Sequence, residues 1–295
     1  MIELAIHSPV EEIFDPLFKS KSVRVFMKRD DQIHPFISGN KWRKLQYTLL
    51  KAEQEKKSHL VTFGGAYSNH LVAAACAGAK FKLRTTAFVR GEQVTNPSLM
   101  LCSLFGMELL YVSRESYRDK WKLFNEAYGN DENAFFVNEG GAGEMAVQGC
   151  SEMIGELNEP FDHIFCAAGT GSTAAGVLKG IIDHKQPSQL HVVPVLKNGR
   201  FIRDEITKYA SGQHGLHLHL NYHFGGYAKA TPELFGFIRS FSSGTGILLD
   251  QVYTGKMVYA AFDLIAKDAF TPGSKILLIH TGGLIGLLSQ VEKFR

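Results

Sequence analysis

The stretch DHIFCAAGTGSTAAG, residues 162–176, joins an apolar run, a turn of small residues and an Ala-rich segment. The apolar run predicts a buried strand, and Gly169 and Gly171 predict the tight turn that precedes a helix. Such a turn exposes backbone N–H groups at the positive end of the helix, and the hydroxyls of Ser172 and Thr173 add donors. Two hydroxyl side chains beside two glycines exceed what a turn requires. The stretch therefore favours a phosphate-binding loop over a tight turn alone.

The same loop does not match two common nucleotide-binding motifs. Four residues, rather than two, separate Gly171 from Gly176, so the dinucleotide fingerprint is not formed. Val177 and Leu178 stand where a Walker loop has Lys and Ser or Thr. The failed fingerprint disfavours an NAD-dependent enzyme.

Short apolar runs alternate with helical segments along most of the chain. Strands are expected at residues 59–63, 84–89, 107–112, 162–167, 190–196 and 275–280, and helices near 69–79 and 97–105. This alternation predicts an α/β protein whose parallel sheets are covered by helices on both faces. Residues 51–133 can form a complete βαβαβ unit. We therefore expect two open, twisted parallel-sheet domains with the active cleft between them: a smaller inserted α/β domain of residues 51–133, and a large domain of residues 1–50 plus 134–295.

Composition excludes several classes of partner. Lys and Arg number 32 against 29 Asp and Glu, and a net charge of +3 is too balanced for nucleic-acid binding. The most apolar run, residues 71–78, is too short to cross a bilayer, and the acids in MIELAIHSPVEEIF argue against a signal peptide. The four cysteines lie far apart without a CxxC pair, which is typical of a reducing compartment. We expect a cytoplasmic protein with a small-molecule ligand, no nucleic-acid partner and no membrane contact.

A second motif, SGNKWRKL at residues 38–45, contains two lysines at a predicted helix start. Gly39 and Asn40 predict the start, Lys41 lies in the first turn, and Lys44 follows one turn later. A lysine near the positive end of a helix is less readily charged, and the neutral amine is the form that attacks a carbonyl group. Taken alone, the motif is more typical of an ordinary basic helix start in contact with water.

A third motif, GGAYSNH at residues 64–70, again joins a strand, a glycine turn and a helix. Backbone amides at this helix start could hold a carboxylate, and Ser68, Asn69 and His70 offer polar groups at the same place. The alternative is simple N-capping by Ser68 or Asn69. The motif by itself does not decide between the two.

Three further features lie in the last third of the chain: Tyr227, YTGK at residues 253–256, and HTGG at residues 280–283. Functional groups of open α/β sheets collect at the carboxyl ends of strands, so HTGG after the predicted strand at 275–280 is suggestive. A single Tyr is more often packed than catalytic. Each feature alone therefore favours packing.

Four histidines, His214, His217, His219 and His223, crowd one region and raise the alternative of a metal hydrolase. His217 and His219, two apart on a strand, fit an exposed face, and no acidic residue nearby has the spacing of a metal ligand. We expect no metal site.

Taken together and in this order, the motifs resemble one family over residues 23–283, nearly the whole chain. The chain is similar to the pyridoxal-phosphate enzymes of the 1-aminocyclopropane-1-carboxylate deaminase/D-cysteine desulfhydrase family. That family has the tryptophan-synthase-β-like fold, pyridoxal-phosphate fold type II, so the resemblance implies that the cofactor lies in the interdomain cleft. The motifs that carry it are Gly39-Asn40-Lys41-x-Arg43-Lys44-Leu45, Gly64-Gly65-x-x-Ser68-Asn69, Gly-Thr-Gly-Ser-Thr at 169–173, Tyr-Thr-Gly-Lys at 253–256 and His-Thr-Gly-Gly at 280–283.

The resemblance implies a set of cofactor contacts. Lys41 would carry pyridoxal 5'-phosphate as a Schiff base, Asn69 would bind its phenolic oxygen, and Thr254 would face its pyridine nitrogen. Lys44 would add positive charge near the phosphate. The loop residues that would cradle this phosphate are Gly169, Thr170, Gly171, Ser172 and Thr173.

The resemblance also implies a substrate site. Ser68, with Asn69 and His70, would hold the substrate carboxylate at the helix start, and Thr281 would complete the site. The implied catalytic residues are Lys41, Ser68, Tyr227 and Tyr253. The two tyrosines would flank the substrate on the face opposite the lysine.

The reaction that follows is an α,β-elimination. Once the substrate amine displaces Lys41, the freed lysine is a general base at Cα, the cofactor ring delocalises the carbanion, and the group at Cβ leaves. Thr254 stands where the ring-opening deaminases usually carry Glu, Thr281 where they carry Leu, and His70 where they tend to have Gln. A Thr hydroxyl cannot supply the charge that Glu gives a protonated pyridine nitrogen, so these positions favour the desulfhydrase branch. D-cysteine would then give pyruvate, ammonia and sulfide.

Several alternatives remain open at this point. Within the family, the chain could be a 1-aminocyclopropane-1-carboxylate deaminase, or a racemase or dehydratase of another small amino acid. A non-catalytic ligand-binding protein on the same fold is a second class, against which Lys41, Tyr227 and Tyr253 argue. Members of this fold are commonly homodimers, and the resemblance carries that expectation to this chain.

Overall fold

Two separate sheets organise the chain, as the alternation of strands and helices predicts. The computed structural model describes residues 2–210 and 215–294. The strands are β1 (Val10–Ile13), β2 (Arg24–Lys28), β3 (His59–Gly65), β4 (Arg84–Arg90), β5 (Glu108–Val112), β6 (Ala134–Val137), β7 (His163–Ala168), β8 (Gln189–Pro194), β9 (Leu216–Leu218) and β10 (Lys275–Ile279). The helices are α1 (Pro16–Ser20), α2 (Asn40–Gln54), α3 (Asn69–Phe81), α4 (Pro97–Leu104), α5 (Lys120–Tyr128), α6 (Glu144–Gly155), α7 (Ser172–Asp183), α8 (Phe201–Thr207), α9 (Pro232–Thr245) and α10 (Thr254–Ala266).

The larger sheet has six strands in the order β1-β2-β10-β7-β8-β9. Only the edge strand β1 is antiparallel to its neighbour; the other pairs are parallel. Successive residues of a strand point to opposite faces, so Phe165 packs with Met257 of α10, while Ile164 packs with Val177 of α7 on the other face. Burial on both faces explains why these strands are apolar without alternation.

The smaller sheet has four parallel strands in the order β5-β4-β3-β6. Its two faces are also covered: Phe63 packs with Phe124 of α5, and Leu60 packs with Leu45 of α2. The fold class expected from the sequence, two open parallel-sheet units, is confirmed.

The boundary of the inserted segment differs from the expectation. Strand β6 pairs with β3, with Ala134 opposite His59, so the smaller sheet extends four residues beyond the predicted end at residue 133. The sequence AFFV is too short to show a strand period. It becomes a strand because it completes the ladder on the open side of β3. Strands β1 and β2, also unpredicted, likewise form by pairing at the larger sheet, whereas β9 contains His217 of the strand expected at His217 and His219.

Helix α2 lies between the two sheets. Leu45 and Leu49 join the apolar cluster of the smaller sheet, and the opposite side approaches α6 so closely that a Cβ at Gly149 would lie 1.8 Å from the carbonyl oxygen of Arg43. The residues at the start of α2 are therefore held where the two sheets face each other. None of the described helices has the length and apolar character needed to span a membrane.

Candidate active site

A cavity of about 170 Å³ lies where chain segments leave the carboxyl ends of one strand from each sheet. Asn69 follows β3 of the smaller sheet, and Thr281 follows β10 of the larger one. Lys41 and Tyr253 complete the set of predicted site residues that line this cavity. Four motifs that are far apart in sequence thus meet at one place.

Lys41 occupies the first turn of α2, as predicted. The side chain is half-buried, and its Nζ donates a hydrogen bond of 2.9 Å to Oδ1 of Asn40. Burial, with the positive charge of Lys44 as a second cause, lowers the pKa of Lys41 to about 7. A large fraction of this amine is therefore neutral near pH 7, which is the form that attacks a carbonyl carbon.

Asn40 connects this lysine to the predicted phosphate loop. Its Nδ2 donates a hydrogen bond of 2.9 Å to Oγ1 of Thr173, while its Oδ1 accepts from Lys41. Helix α7 begins directly after Gly171, whose φ is +89°, and no side chain caps this start. Open N–H groups at a helix start, together with the buried hydroxyls of Ser172 and Thr173, form a cradle for an anion. One amide side chain therefore ties the amine to the anion cradle.

The position of Lys41 depends on a close contact between two loops. Gly39 has φ of +60°, and a Cβ there would lie 2.0 Å from the carbonyl oxygen of Thr281. The Gly39 N–H donates 2.9 Å to the carbonyl of Asp30, and the Asn40 N–H donates 3.3 Å to that of Thr281. Only glycine fits this site, because both its φ and its surroundings exclude a side chain.

A buried network of ion-paired side chains holds α2 in place. The Arg43 guanidinium, fully buried, donates 2.6 Å and 2.8 Å to the carboxylate of Asp30 and 2.8 Å and 2.9 Å to that of Glu156. Lys28 donates 2.8 Å to the same Glu156. Because each buried charge has an opposite partner, the network holds the helix in one register beside Lys41.

At the start of α3, the simple capping alternative is not supported. Ser68 is the N-cap residue, but no side chain accepts from the first N–H groups of the helix. Oδ1 of Asn69 is buried without a hydrogen-bond partner, although Asn69 lines the cavity. An orphaned buried acceptor costs free energy, and a ligand in the cavity would relieve that cost.

His70 lies elsewhere. The Thr62 hydroxyl donates 3.0 Å to the carbonyl of Val137, so it accepts its 2.7 Å bond from Nε2–H of His70, which assigns the tautomer. Burial, followed by the charges of Lys41 and Lys44, lowers the pKa of His70 to about 3. His70 is not among the residues that line the cavity. Its contact with the substrate carboxylate therefore stays a prediction.

Tyr253 stands between the cavity and the phosphate loop. A Cβ at Gly169 would lie 3.2 Å from its hydroxyl, and the ring of Tyr227 meets it edge-on with centroids 6.2 Å apart. Burial raises the pKa of the Tyr253 phenol well above its usual value, and Tyr227, Asp250 and Glu139 add to the shift. The phenol is therefore a neutral hydrogen-bond donor. Tyr227 itself is 49% exposed and is not among the residues that line the cavity.

The remaining predicted residues lie near the cavity rather than on its wall. Thr254 is fully buried, and its hydroxyl donates 2.7 Å to Asp250. Lys44 is buried and donates 3.4 Å to the carbonyl of Gly140, and a Cβ at Gly140 would lie 3.8 Å from Thr170 Cγ2. Burial lowers the pKa of Lys44. These contacts place Lys44 near the phosphate loop and leave Thr254 behind the cavity wall.

Among the histidines of this region, His219 bonds to His191 of β8, which bonds in turn to His163 of β7. Nδ1 of His191 lies 2.9 Å from Nε2 of His219, and its Nε2 lies 3.1 Å from Nδ1 of His163. His217 is exposed and bonds to Gln189. Across residues 2–210 and 215–294, no group of three or more His, Cys, Asp or Glu side chains is arranged to hold a metal ion. His214 lies outside the described residues.

Three residues at or beside the site are not among the predicted site residues. The sequence predicts Asn40 only as part of a helix start, although its place in Gly-Asn-Lys marks it as a neighbour of the lysine. Asp31 lines the cavity, and an ion pair of 2.8 Å to Arg29 holds it. Asp250 lies four residues before Thr254 and accepts a hydrogen bond of 2.8 Å from its N–H.

A cofactor that carries both a carbonyl and a phosphate needs a neutral amine close to an anion cradle, and Asn40 links Lys41 to Thr173 of the predicted cradle in this way. Asn69, with its orphaned acceptor, lines the same cavity as Lys41, so the residues present fit such a group. A two-sheet α/β fold with this pairing defines a pyridoxal-phosphate-dependent enzyme.

The chain belongs to the pyridoxal-phosphate dependent enzyme family, whose model matches residues 11–282. A Thermotoga maritima protein named "Putative 1-aminocyclopropane-1-carboxylate deaminase" is 31% identical over 99% of both chains. The bifunctional D-cysteine desulfhydrase/1-aminocyclopropane-1-carboxylate deaminase of Arabidopsis thaliana mitochondria is 29% identical over 91% of this chain and 74% of its own. The crystal structure of an ACC deaminase homologue matches with a TM-score of 0.86 at 27% identity, covering 99% of this chain and 94% of that one. The expected family, fold and cofactor are confirmed.

Proposed function

We propose that this enzyme is a lyase that eliminates the β-substituent of a small amino acid, with D-cysteine as substrate and pyruvate, ammonia and sulfide as products. The observation that carries the proposal is the Lys41 amine, which has a pKa of about 7 and is held by Asn40 beside an uncapped helix start. An amine with this pKa accepts a proton readily near neutral pH, which is what a general base at Cα requires. The bifunctional Arabidopsis relative supports this type of lyase.

The chain's own residues divide the work as follows. Lys41 would bind the cofactor and then take the Cα proton on its Nζ, with Asn40 Oδ1 as the acceptor that steadies the released amine. Gly169, Thr170, Gly171, Ser172 and Thr173, with Lys44, would hold the phosphate. When bound, pyridoxal phosphate supplies a conjugated ring that delocalises the electron pair left at Cα.

The substrate would bind between the start of α3 and the tyrosines. The N–H groups in the first turn of α3, which no side chain caps, suit the substrate carboxylate. The neutral phenol of Tyr253, with Tyr227 at its edge, would donate a hydrogen bond to the departing group. Thr281 on the opposite wall carries a hydroxyl rather than a charge, so it suits a neutral substituent such as a thiol.

A second candidate is 1-aminocyclopropane-1-carboxylate deaminase, which the names of the Thermotoga and Arabidopsis relatives favour equally. Against it stands Thr254, whose hydroxyl donates to Asp250 and brings no carboxylate to the site. The homodimer and the cytoplasmic location remain predictions.

The test is a visible absorption spectrum followed by two assays. Purified protein should be yellow, and Lys41→Ala should be colourless once free cofactor has been removed by dialysis. Sulfide and pyruvate from D-cysteine, without keto acid from 1-aminocyclopropane-1-carboxylate, support the proposal. Keto acid from the cyclic substrate alone supports the second candidate, and a yellow protein inert toward both amino acids contradicts both.

A further inference from the structure

Asp250, in the turn before α10, binds three consecutive residues of its own chain. Its Oδ2 accepts hydrogen bonds of 2.8 Å from the Val252 N–H and 2.9 Å from the Tyr253 N–H. Its Oδ1 accepts 2.8 Å from the Thr254 N–H and 2.7 Å from the Thr254 hydroxyl. This one carboxylate therefore determines how Tyr253 enters the cavity.

The Asp250 side chain is deeply buried and has no cationic partner among the described residues. Asp30 and Asp250 are the acids among the fully buried polar residues of the described ranges, at 0% and 1% exposure. Asp30 is paired with Arg43, whereas no described cation lies within ion-pair distance of Asp250. Asn, Ser and Thr each offer one acceptor oxygen and could not accept all four hydrogen bonds of this turn. The carboxylate therefore orders the turn and also places a negative charge without a described cationic partner close to the cavity.

The carboxylate stands directly behind a wall of the cavity. A Cβ at Gly283 would lie 4.0 Å from Cγ of Asp250 and 2.9 Å from Nδ2 of Asn69, and both Gly283 and Asn69 line the cavity. On the other side of the turn, the Tyr253 hydroxyl lies against Gly169 at the phosphate loop. Asp250 is therefore adjacent to two walls of the site without reaching the cavity itself.

We propose that Asp250 is a positioning residue of the cofactor site, which holds Tyr253 against the loop at Gly169 and keeps a fixed negative charge behind Gly283. This rests on the proposed role of Lys41. The charge favours the ammonium form of Lys41, whereas burial and Lys44 on α2 favour the neutral amine. The neighbouring Cys150 thiol on α6 is uncharged near neutral pH, because burial raises its pKa. Asp250 thus opposes Lys44 and keeps the amine able to hold the proton that it receives.

The charge is tested by measuring the titration of Lys41 itself. Competitive acetylation of the apoprotein, with mass spectrometry of the Lys41 peptide, reports the protonation of this amine without cofactor or turnover. Asp250→Asn should give at least about threefold more neutral Lys41 on the acidic side of its midpoint. The matched control is Asp119→Asn, an exposed cap that accepts 2.9 Å from Lys122 at the start of α5, and it should change nothing.

The positioning role is tested by a double-mutant cycle on cofactor affinity, measured as pyridoxal phosphate uptake by the apoprotein. Tyr253→Phe removes the hydroxyl but keeps the N–H that Asp250 binds. If Asp250 acts through Tyr253, Asp250→Asn should weaken uptake by a smaller factor in the Phe background than in the wild type. Asp250→Glu keeps the charge but alters its reach, so it should weaken uptake while leaving the Lys41 midpoint near the wild-type value.

If Asp250→Asn leaves the titration midpoint of Lys41 unchanged, and the losses of cofactor affinity in the cycle are additive, Asp250 only orders the turn before α10. If Asp250→Asn does not fold, Asp250→Glu tests the proposal instead. A Lys41 titration midpoint that falls although the charge is retained, or cofactor uptake equal to that of the wild type, contradicts the proposal. Failure of the wild-type apoprotein to take up cofactor at Lys41 would instead defeat the proposed function, and the acetylation titration distinguishes the two.

Discussion

Replacing Lys41 by Met should stabilise the apoprotein, although it removes the amine that we propose as the general base. Burial and the charge of Lys44 lower the pKa of Lys41 from 10.5 to about 7. A difference of about 3.5 units corresponds to an upper limit of about 5 kcal/mol by which folding disfavours the ammonium form. Because the amine is half-buried and retains contact with water, we expect about 1–2 kcal/mol. For a chain of 295 residues this raises Tm by about 2–3 °C.

The pH dependence gives the cause of the gain. The unfolded chain binds a proton at Lys41 up to pH 10.5, whereas the folded chain releases it near pH 7. The wild type therefore bears the full cost below pH 7, regains stability as the pH rises from about 7 to 10.5, and bears none above. The advantage of Lys41→Met should be greatest below pH 7 and should vanish above pH 10.5.

The assay is thermal unfolding of the two apoproteins over this pH range. Lys51→Met on the same helix is the matched control, because the Lys51 side chain is 52% exposed and should give no such difference. A lower Tm for Lys41→Met at pH 7, or a gain that does not decline at alkaline pH, would refute the argument that desolvation sets the state of this amine.

Two further substitutions test how the site is supported. Gly39→Ala should lower the free energy of unfolding by more than about 2 kcal/mol and weaken cofactor uptake, because its Cβ would lie 2.0 Å from the Thr281 carbonyl oxygen at φ of +60°. The control Gly236→Ala, whose Cβ meets no atom within 4 Å, should show neither loss when thermal unfolding and cofactor uptake are measured. Arg43→Met should lower the free energy of unfolding by about 3–5 kcal/mol in urea, because it leaves Asp30 buried without its cation. A loss below about 1 kcal/mol would show that the network does not hold α2.

Local patterns in the sequence determined much of the fold. The apolar run before Gly169 and the helix start at Asn40 lie where they were predicted, because a strand buried on both faces and a glycine turn each leave a signal within a few residues. The cofactor followed from the order of such motifs, and the same order predicts the roles of Lys41 and of the loop at residues 169–173. These features are encoded by neighbours along the chain.

The tertiary structure decided what those motifs do to one another. Asn40 bridges Lys41 and Thr173, residues 132 positions apart, through one amide. His70 donates its Nε2–H to Thr62, whose own hydroxyl donates to Val137, and is not among the residues that line the cavity. The strand at residues 134–137 exists because β3 lacked a partner on that side. Each outcome depends on distances between segments far apart in sequence, and burial, which sets the pKa of Lys41, is a property of the packed molecule rather than of any residue within it.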